Sequence, residues 1–388
     1  MSRRKSVRSI LGITLVMIVA MGCSAVVATP TAPPSPTHAL TSTLAATSTP
    51  IPAPPPTPNV GPGGFPRHFH VEGNAFVDQF GQKMVFRGVA SMDPAQLKMG
   101  YDARYPAFDK KYFAAMATWG ANIVRVPVLP WSLQEYSESA VLQALDQTIA
   151  WAGENKMYVA IDFSCVGWLA APDVWFLPGG GFETTVGMWT RFWEKVSSRY
   201  VHNDVVAFYE LFGAPARRPD HWPYTRDDWM TWKGLVEPLI KDTIRPNDPA
   251  KTLLVGGLNA DFNLSFVAHD PIADSANNVA YTTEPYSSHL IAHEDWDAYF
   301  GNVAGQYAVF AIEFGYDSCC ADSVDIDVNG TPYHKYVIGY LEARRISWAV
   351  WSFSATWTTR LLKDNRTFEP SESGAYFRSR MLELNGPP

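Results

Sequence analysis

The sequence predicts an α/β fold, a (β/α)8 TIM barrel with a short N-terminal β-hairpin. Three observations support it. Short apolar runs alternate with helical stretches about eight times over roughly 320 residues, the size of a barrel with loop insertions. Polar residues stand at the C-terminal ends of many of these runs, and in a barrel those ends converge on one site. No glycine-rich phosphate turn follows the first run, which disfavours the open doubly wound sheet.

The elements read in order. The stretch "FHVEGNAFVDQFGQKMVFRGVA" alternates and turns at Gly73-Asn74 and again at Gly81, which reads as a hairpin followed by a barrel strand ending near Val89. A helix from about Lys110 to Thr118 precedes a strand from Asn122 to Val128, and a helix from Ala140 to Glu154 precedes one from Tyr158 to Phe163. Helices over Val186–Tyr200 and Trp229–Ile244 lead to strands over Val205–Phe212 and Thr252–Gly256. Strands are also expected at Val279–Thr283, Val309–Phe314 and Trp348–Phe353, with a last helix from Gly374 to Leu384.

Ahead of this region the chain reads as an address and a tether. Arg3, Arg4, Lys5 and Arg8 precede an apolar stretch from Ile10 to Met21 that is short for a bilayer span. It runs into Ala20-Met21-Gly22-Cys23, which resembles a bacterial lipobox with Ala20 where leucine is usual. Residues 1–23 are therefore expected to be a lipoprotein signal with Cys23 lipidated. The chain would then be exported and held on the extracytoplasmic side of a membrane by that N-terminal lipid alone; an ordinary secretory peptide is the alternative reading. Residues 24–66 are mostly Thr, Pro, Ala and Ser, too poor in large apolar groups to bury a core, and are expected to be an extended tether. Residues 67–388 make up the barrel.

A net charge of −7, with no basic run beyond the extreme N-terminus, argues against a nucleic-acid partner. The nine histidines show no paired ligand spacing, and His68 and His70 lie in the lead-in to the hairpin, so neither a metal nor a cofactor is expected. Fourteen Trp and seventeen Tyr suit the flat faces of sugars as well as they suit a core. Trp168, Trp175, Trp222, Trp296 and Trp357 fall in expected loops near the strand ends, where exposed rings would stack on successive sugars. Of the remaining cysteines, Cys165 is a candidate to bridge Cys319 or Cys320 across the rim of the barrel.

The strings "FVDQFGQKMVFRGVA", "WGANIVRVPV", "VAFYELFGAP", "VFAIEFG" and "ISWAVWSF" resemble, in order and spacing, the landmarks of glycoside hydrolase family 5, the cellulase type. The resemblance covers essentially the whole folded region. It implies hydrolysis of O-glycosyl bonds in a β-linked oligo- or polysaccharide by two glutamates, an acid/base in an Asn-Glu-Pro motif ending the fourth strand and a nucleophile ending the seventh. Retention of configuration needs those carboxyl groups about 5–5.5 Å apart, one protonated and one ionised. Glu313 matches the nucleophile. By the same resemblance Arg125 and Tyr286 orient and ionise it, and Trp351 forms the floor under the sugar.

Where the family has Asn-Glu-Pro this chain has Gly213-Ala214-Pro215, and neither Gly213 nor Ala214 can give a proton. Glu210 lies four residues before Ala214, about 13 Å further down the strand, and reads as a polar residue of the barrel interior. Ser164 stands where the family commonly has a histidine after the third strand, and Glu284 where it has one on the sixth. Three functions follow as expectations: a hydrolase in which Glu284 substitutes for the lost acid, a glycan-binding protein that no longer cuts, and a cell-surface adhesion or scaffold protein.

Overall fold

The computed structural model describes residues 64–386 except 180, 293 and 318–323. The lipidation signal, nearly all of the tether, and Cys319 and Cys320 lie outside the described residues. Eight parallel strands close into a barrel: β1 (Arg87–Ala90), β2 (Ile123–Val128), β3 (Tyr158–Phe163), β4 (Val206–Glu210), β5 (Thr252–Gly256), β6 (Val279–Thr283), β7 (Val309–Ala311) and β8 (Ser347–Val350). Each pairs with its neighbour in the sequence, and β8 closes on β1 with Trp348 opposite Arg87.

The strands form where β-branched residues have an apolar partner on each face. Along β2, Val124, Val126 and Val128 join the core under the helices, while Ile123 joins the core inside the barrel. β1 and β2 approach so closely that a Cβ on Gly88 would stand 1.9 Å from the Ile123 carbonyl oxygen, a position that admits only glycine. The helices are amphipathic and capped. Ser137 accepts from the Ala140 amide at the start of the helix Glu138–Glu154, which buries Val141, Ala144, Leu145, Thr148, Ile149 and Ala152 on one stripe.

The boundaries depart from the expected ones for identifiable reasons. β4, β7 and β8 stop at Glu210, Ala311 and Val350, two or three residues early. Leu211, Phe212, Ile312, Phe314 and Phe353 beyond them are all buried, so the apolar pattern outlasts the hydrogen-bonded ladder. The helix expected over Trp229–Ile244 is α-helical only as Arg226–Pro238 and continues as a π-helical turn over Leu239–Ile244, a change that falls at Pro238, which has no N–H to give.

The N-terminal hairpin plugs the bottom of the barrel. Its strands Phe69–Glu72 and Ala75–Asp78 are antiparallel, and Lys83–Met84 adds a third. Phe76 places its ring 5.0 Å from Phe208 and 5.7 Å from Phe86, and the Arg67–Asp78 pair, 2.6 Å apart and buried, ties the lead-in down. Phe76→Ala should cost about 3–5 kcal/mol in urea unfolding; an unchanged midpoint would mean that the hairpin is no part of the cooperative unit.

Candidate active site

The barrel interior is layered. Its lower part is apolar, with Phe86, Ala160, Phe208, Leu254, Ala280 and Phe310 in one cluster. One step higher, the alternation of side chains turns Arg125, Asp162 and Glu210 inward from β2, β3 and β4. Arg125 grips Glu210 with two parallel bonds, Nε to Oε2 at 2.7 Å and Nη2 to Oε1 at 2.8 Å. Its Nη2 also lies 3.0 Å from Asp162 Oδ2, and its Nη1 donates to Glu313 Oε2 at 2.5 Å. The chain bends at Glu313, just past β7, and Tyr286 donates its hydroxyl to the other carboxylate oxygen of Glu313 at 2.9 Å. Tyr286 follows β6 in a loop that Tyr333 fixes by donating to the Pro285 carbonyl at 2.8 Å.

Two further acids complete the constellation. Glu284 follows β6 and is 2% exposed; among the described residues no group hydrogen-bonds its carboxyl. Asp261, fully buried after β5, accepts from Thr282 Oγ1 at 2.8 Å through one oxygen and leaves Oδ1 without a partner among the described residues. Among the described residues a single guanidinium thus faces five carboxyl groups. Their common charge is untenable in a buried site, so protons must remain on some of them. Burial, and after it the neighbouring Arg125 and Glu210 charges acting in opposite directions, leaves Asp162 well above the ordinary carboxylate range. Asp261 is held well above it by burial and then Glu210, and Glu284 by burial and then Glu313. Glu210 is raised too, by burial, although Arg125 opposes the shift. Burial works against the charge on Arg125, but Asp162, Glu210 and Glu313 outweigh it. Tyr286 is kept neutral, chiefly by burial and then by Glu313.

The structure brings Arg125, Glu284, Tyr286, Glu313 and Trp351 to one mouth. Trp351 is half-buried, its indole N–H donates to the Thr358 carbonyl at 2.7 Å, and Arg125 sits 5.7 Å from its ring centre. Past β4, Gly213 and Ala214 bring no acidic side chain: a Cβ on Gly213 would stand 2.9 Å from Arg125 Nη2 and 3.1 Å from Asp162 Oδ1, so the bare backbone seats the guanidinium. Ala214 is buried in a left-handed conformation, φ 53°. The Ser164 hydroxyl lies beside Asp162, where it favours the ionised form. Glu210 is in the interior as expected, and its task there is to hold Arg125.

Two of the five loop tryptophans are corrected. Trp168 and Trp296 are each 2% exposed. Trp168 packs on Trp232 at 6.0 Å, and Trp296 lies among Phe300, Tyr336 and Tyr340, so neither ring offers a face to a sugar. Trp175 is half-buried in the short pairing of Gly167–Trp168 with Trp175–Phe176, and Trp222 is exposed. Cys165 is a buried free thiol whose Sγ donates to the Phe182 carbonyl at 3.1 Å, and Cys319 and Cys320, the partners expected for it, lie outside the described residues.

An aromatic run leads away from Glu313, beginning with the expected Trp351 and Trp357 and continuing through rings that the loop reading missed. Trp351 stacks on Trp357 at 5.3 Å, whose N–H donates to Tyr105 at 3.0 Å. Tyr105 neighbours Tyr101 at 5.9 Å, and Tyr101 meets Trp131 edge-on at 4.8 Å while remaining 53% exposed. Such a row suits the apolar faces of successive sugar rings. The missed signal was the aromatic pair in "YDARY" after the first strand, with Trp131 directly following the second.

A family model for cellulase (glycosyl hydrolase family 5) matches residues 77–356. Endoglucanase C of Evansella cellulosilytica is 26% identical over 316 residues, which is 70% of this chain and 37% of that protein, so the chain spans little more than a third of the length of this curated relative. Among solved structures, the β-glucanase SdGluc5_26A of Saccharophagus degradans is 28% identical with a TM-score of 0.74, covering 86% of this chain and 98% of its own. The same enzyme has been solved in complex with cellotetraose, and that structure matches with a TM-score of 0.73. The catalytic domain of Thermobifida fusca endoglucanase Cel5A, 18% identical with a TM-score of 0.59, shares the fold over 81% of this chain and 96% of its own.

Proposed function

The chain belongs to the cellulase family, glycosyl hydrolase family 5, and on that premise we propose that it hydrolyses O-glycosyl bonds of β-linked glucan chains with Glu313 as nucleophile and Glu284 as the acid. The observation that carries this reading is the state of Glu284, a buried carboxyl without a hydrogen-bond partner among the described residues, set in the field of Glu313. A neutral carboxylic acid in such a place has an unused O–H, and a glycosidic oxygen is an acceptor for it. Glu313, held by Arg125 and Tyr286, attacks the anomeric carbon of the sugar over Trp351. The bond to the leaving oxygen breaks as that oxygen takes the Glu284 proton. Glu284, now anionic, removes a proton from water, the oxygen of which attacks the anomeric carbon and frees Glu313. The aromatic run from Trp351 to Trp131 supports a chain of several sugars as the substrate.

Glu284→Gln tests the assignment. It should lower kcat/KM for cellotetraose by about 10²–10⁴-fold, the usual contribution of a general acid, and leave kcat/KM for an aryl β-cellobioside with a good leaving group nearly unaffected, while kcat on the aryl substrate falls because Glu284 also activates the water. Equal loss of kcat/KM on both substrates, or none on cellotetraose, would remove Glu284 from the acid's role.

A second reading, glycan binding without cleavage, is favoured by one observation. Gly213 and Ala214 supply neither a proton nor a hydrogen-bonding side chain where the family places its acid/base pair. Cellotetraose that binds in calorimetry but is never cut by the unmodified protein would decide for it.

A further inference from the structure

Asp261 has no part in the reaction just described, yet the fold goes to some length to place it. Asn259, Ala260 and Asp261 are three successive residues in the left-handed region, with φ of 59°, 52° and 62°. The turn they make is closed by paired amides between Leu258 and Asn263 and tied to the loop after β4, where Ala260 donates to the Pro215 carbonyl at 3.1 Å. It folds the Asp261 carboxyl back over β5: a Cβ on Gly256 would stand 1.9 Å from Asp261 Oδ1. The carboxyl is fully buried, one oxygen bonded to Thr282 and the other, among the described residues, without a hydrogen-bond partner. Such an arrangement costs stability, since an apolar residue or an amide would carry no comparable desolvation penalty.

Thr282 leads from Asp261 to Glu284. The two residues are two positions apart at the top of β6, so their side chains share the inward face, with their backbones about 7 Å apart. Bonded to Thr282, Asp261 therefore sits one step below Glu284. We propose that Asp261 is a positioning residue that pairs with Glu284, a second acid beneath the working one, and keeps the working acid in its protonated form until a sugar oxygen takes the proton. The inference rests on the reading of Glu284 given above. Five groups act on Glu284 from the surrounding elements: Glu313 past β7, Asp261 past β5, Arg125 on β2, Glu210 on β4 and the neutral Tyr286 on its own loop. Arg125 favours ionisation and the three acids oppose it. Two interacting carboxyls lose their protons in two steps that belong to the pair, and removing one partner brings the other's step down.

The test does not depend on turnover. Stability is measured from pH 4 to 9 for the unmodified protein and the Glu284→Gln, Asp261→Asn and double variants. Because Glu284 is raised in the folded state, its contribution is full below the ordinary carboxylate pKa and is lost as pH rises to the folded value. The advantage of Gln over Glu at 284 should therefore grow with pH and level off where folded Glu284 ionises. With Asn at 261 that levelling should come about one pH unit lower, and the alkaline limb of cellotetraose turnover should move down with it while KM stays fixed. Asn keeps the bond from Thr282 and suits the left-handed turn, so a merely structural Asp261 predicts no movement of either. Unmoved levelling overturns the pairing even if Glu284→Gln abolishes turnover. Moved levelling with turnover indifferent to Glu284→Gln overturns the reading of Glu284 as the acid, and with it the role assigned to Asp261.

Discussion

Glu313→Gln is expected to remove turnover of cellotetraose by roughly 10⁴–10⁶-fold, the scale of losing a nucleophile that acts as part of a unit, and to leave the oligosaccharide bound. Gln has the shape of Glu and still offers an oxygen to Arg125 or Tyr286, the two groups that hold Glu313 at 2.5 and 2.9 Å. An amide cannot form the glycosyl ester. The aromatic run from Trp351 to Trp131 is untouched, so calorimetry with cellotetraose should give an affinity within a few-fold of the unmodified protein. Stability should hold or rise, because the substitution takes one negative charge out of a site where one guanidinium already faces five acids. Turnover within tenfold of the unmodified protein would show that Glu313 is not the attacking group. Lost binding together with lost turnover would instead point to a role in holding the sugar.

What the sequence made legible follows from barrel topology. Tyr286, Glu313 and Trp351 sit just past the ends of three strands and Arg125 points inward from within a fourth, and parallel strands closing in chain order must gather such residues towards one mouth. The strand centres were readable for a similar reason, since β-branched runs such as "IVRVPV" are buried on both faces. Asp261 was not readable. Its place depends on three consecutive left-handed residues, none of them glycine, and on the clearance that Gly256 provides five positions earlier. The burial of Trp168 and Trp296 was hidden too, because a loop that folds back on the helices leaves no periodic pattern. Glu210 was placed in the interior by counting along the strand, but spacing alone could not reveal that it shares Arg125 with Glu313.

That sharing makes Arg125 the residue whose loss should damage the fold most. Arg125→Met keeps the length and apolar stem of the side chain and removes the only cation among the described residues in direct contact with Asp162, Glu210 and Glu313. Removing one partner of a buried charge pair costs about 3–5 kcal/mol, because the other is left uncompensated. The sign of the pH dependence identifies the cause. Asp162 and Glu210 are already raised by burial, and Arg125 is the largest influence holding them down. Without it their folded values rise further. Acids raised by folding stabilise fully below their unfolded pKa, near 4, and lose that contribution as pH climbs through the folded value. The deficit of Arg125→Met should therefore be greatest at neutral and alkaline pH and shrink towards pH 4, where both carboxyls carry protons in either state. Arg125→Lys should recover part of the deficit, since an ammonium restores the charge but cannot fork to Glu210. Urea unfolding at pH 4, 6 and 8 checks this: a deficit of the same size at all three would mean that Arg125 matters for its packing, and that the acids around it have never depended on its charge.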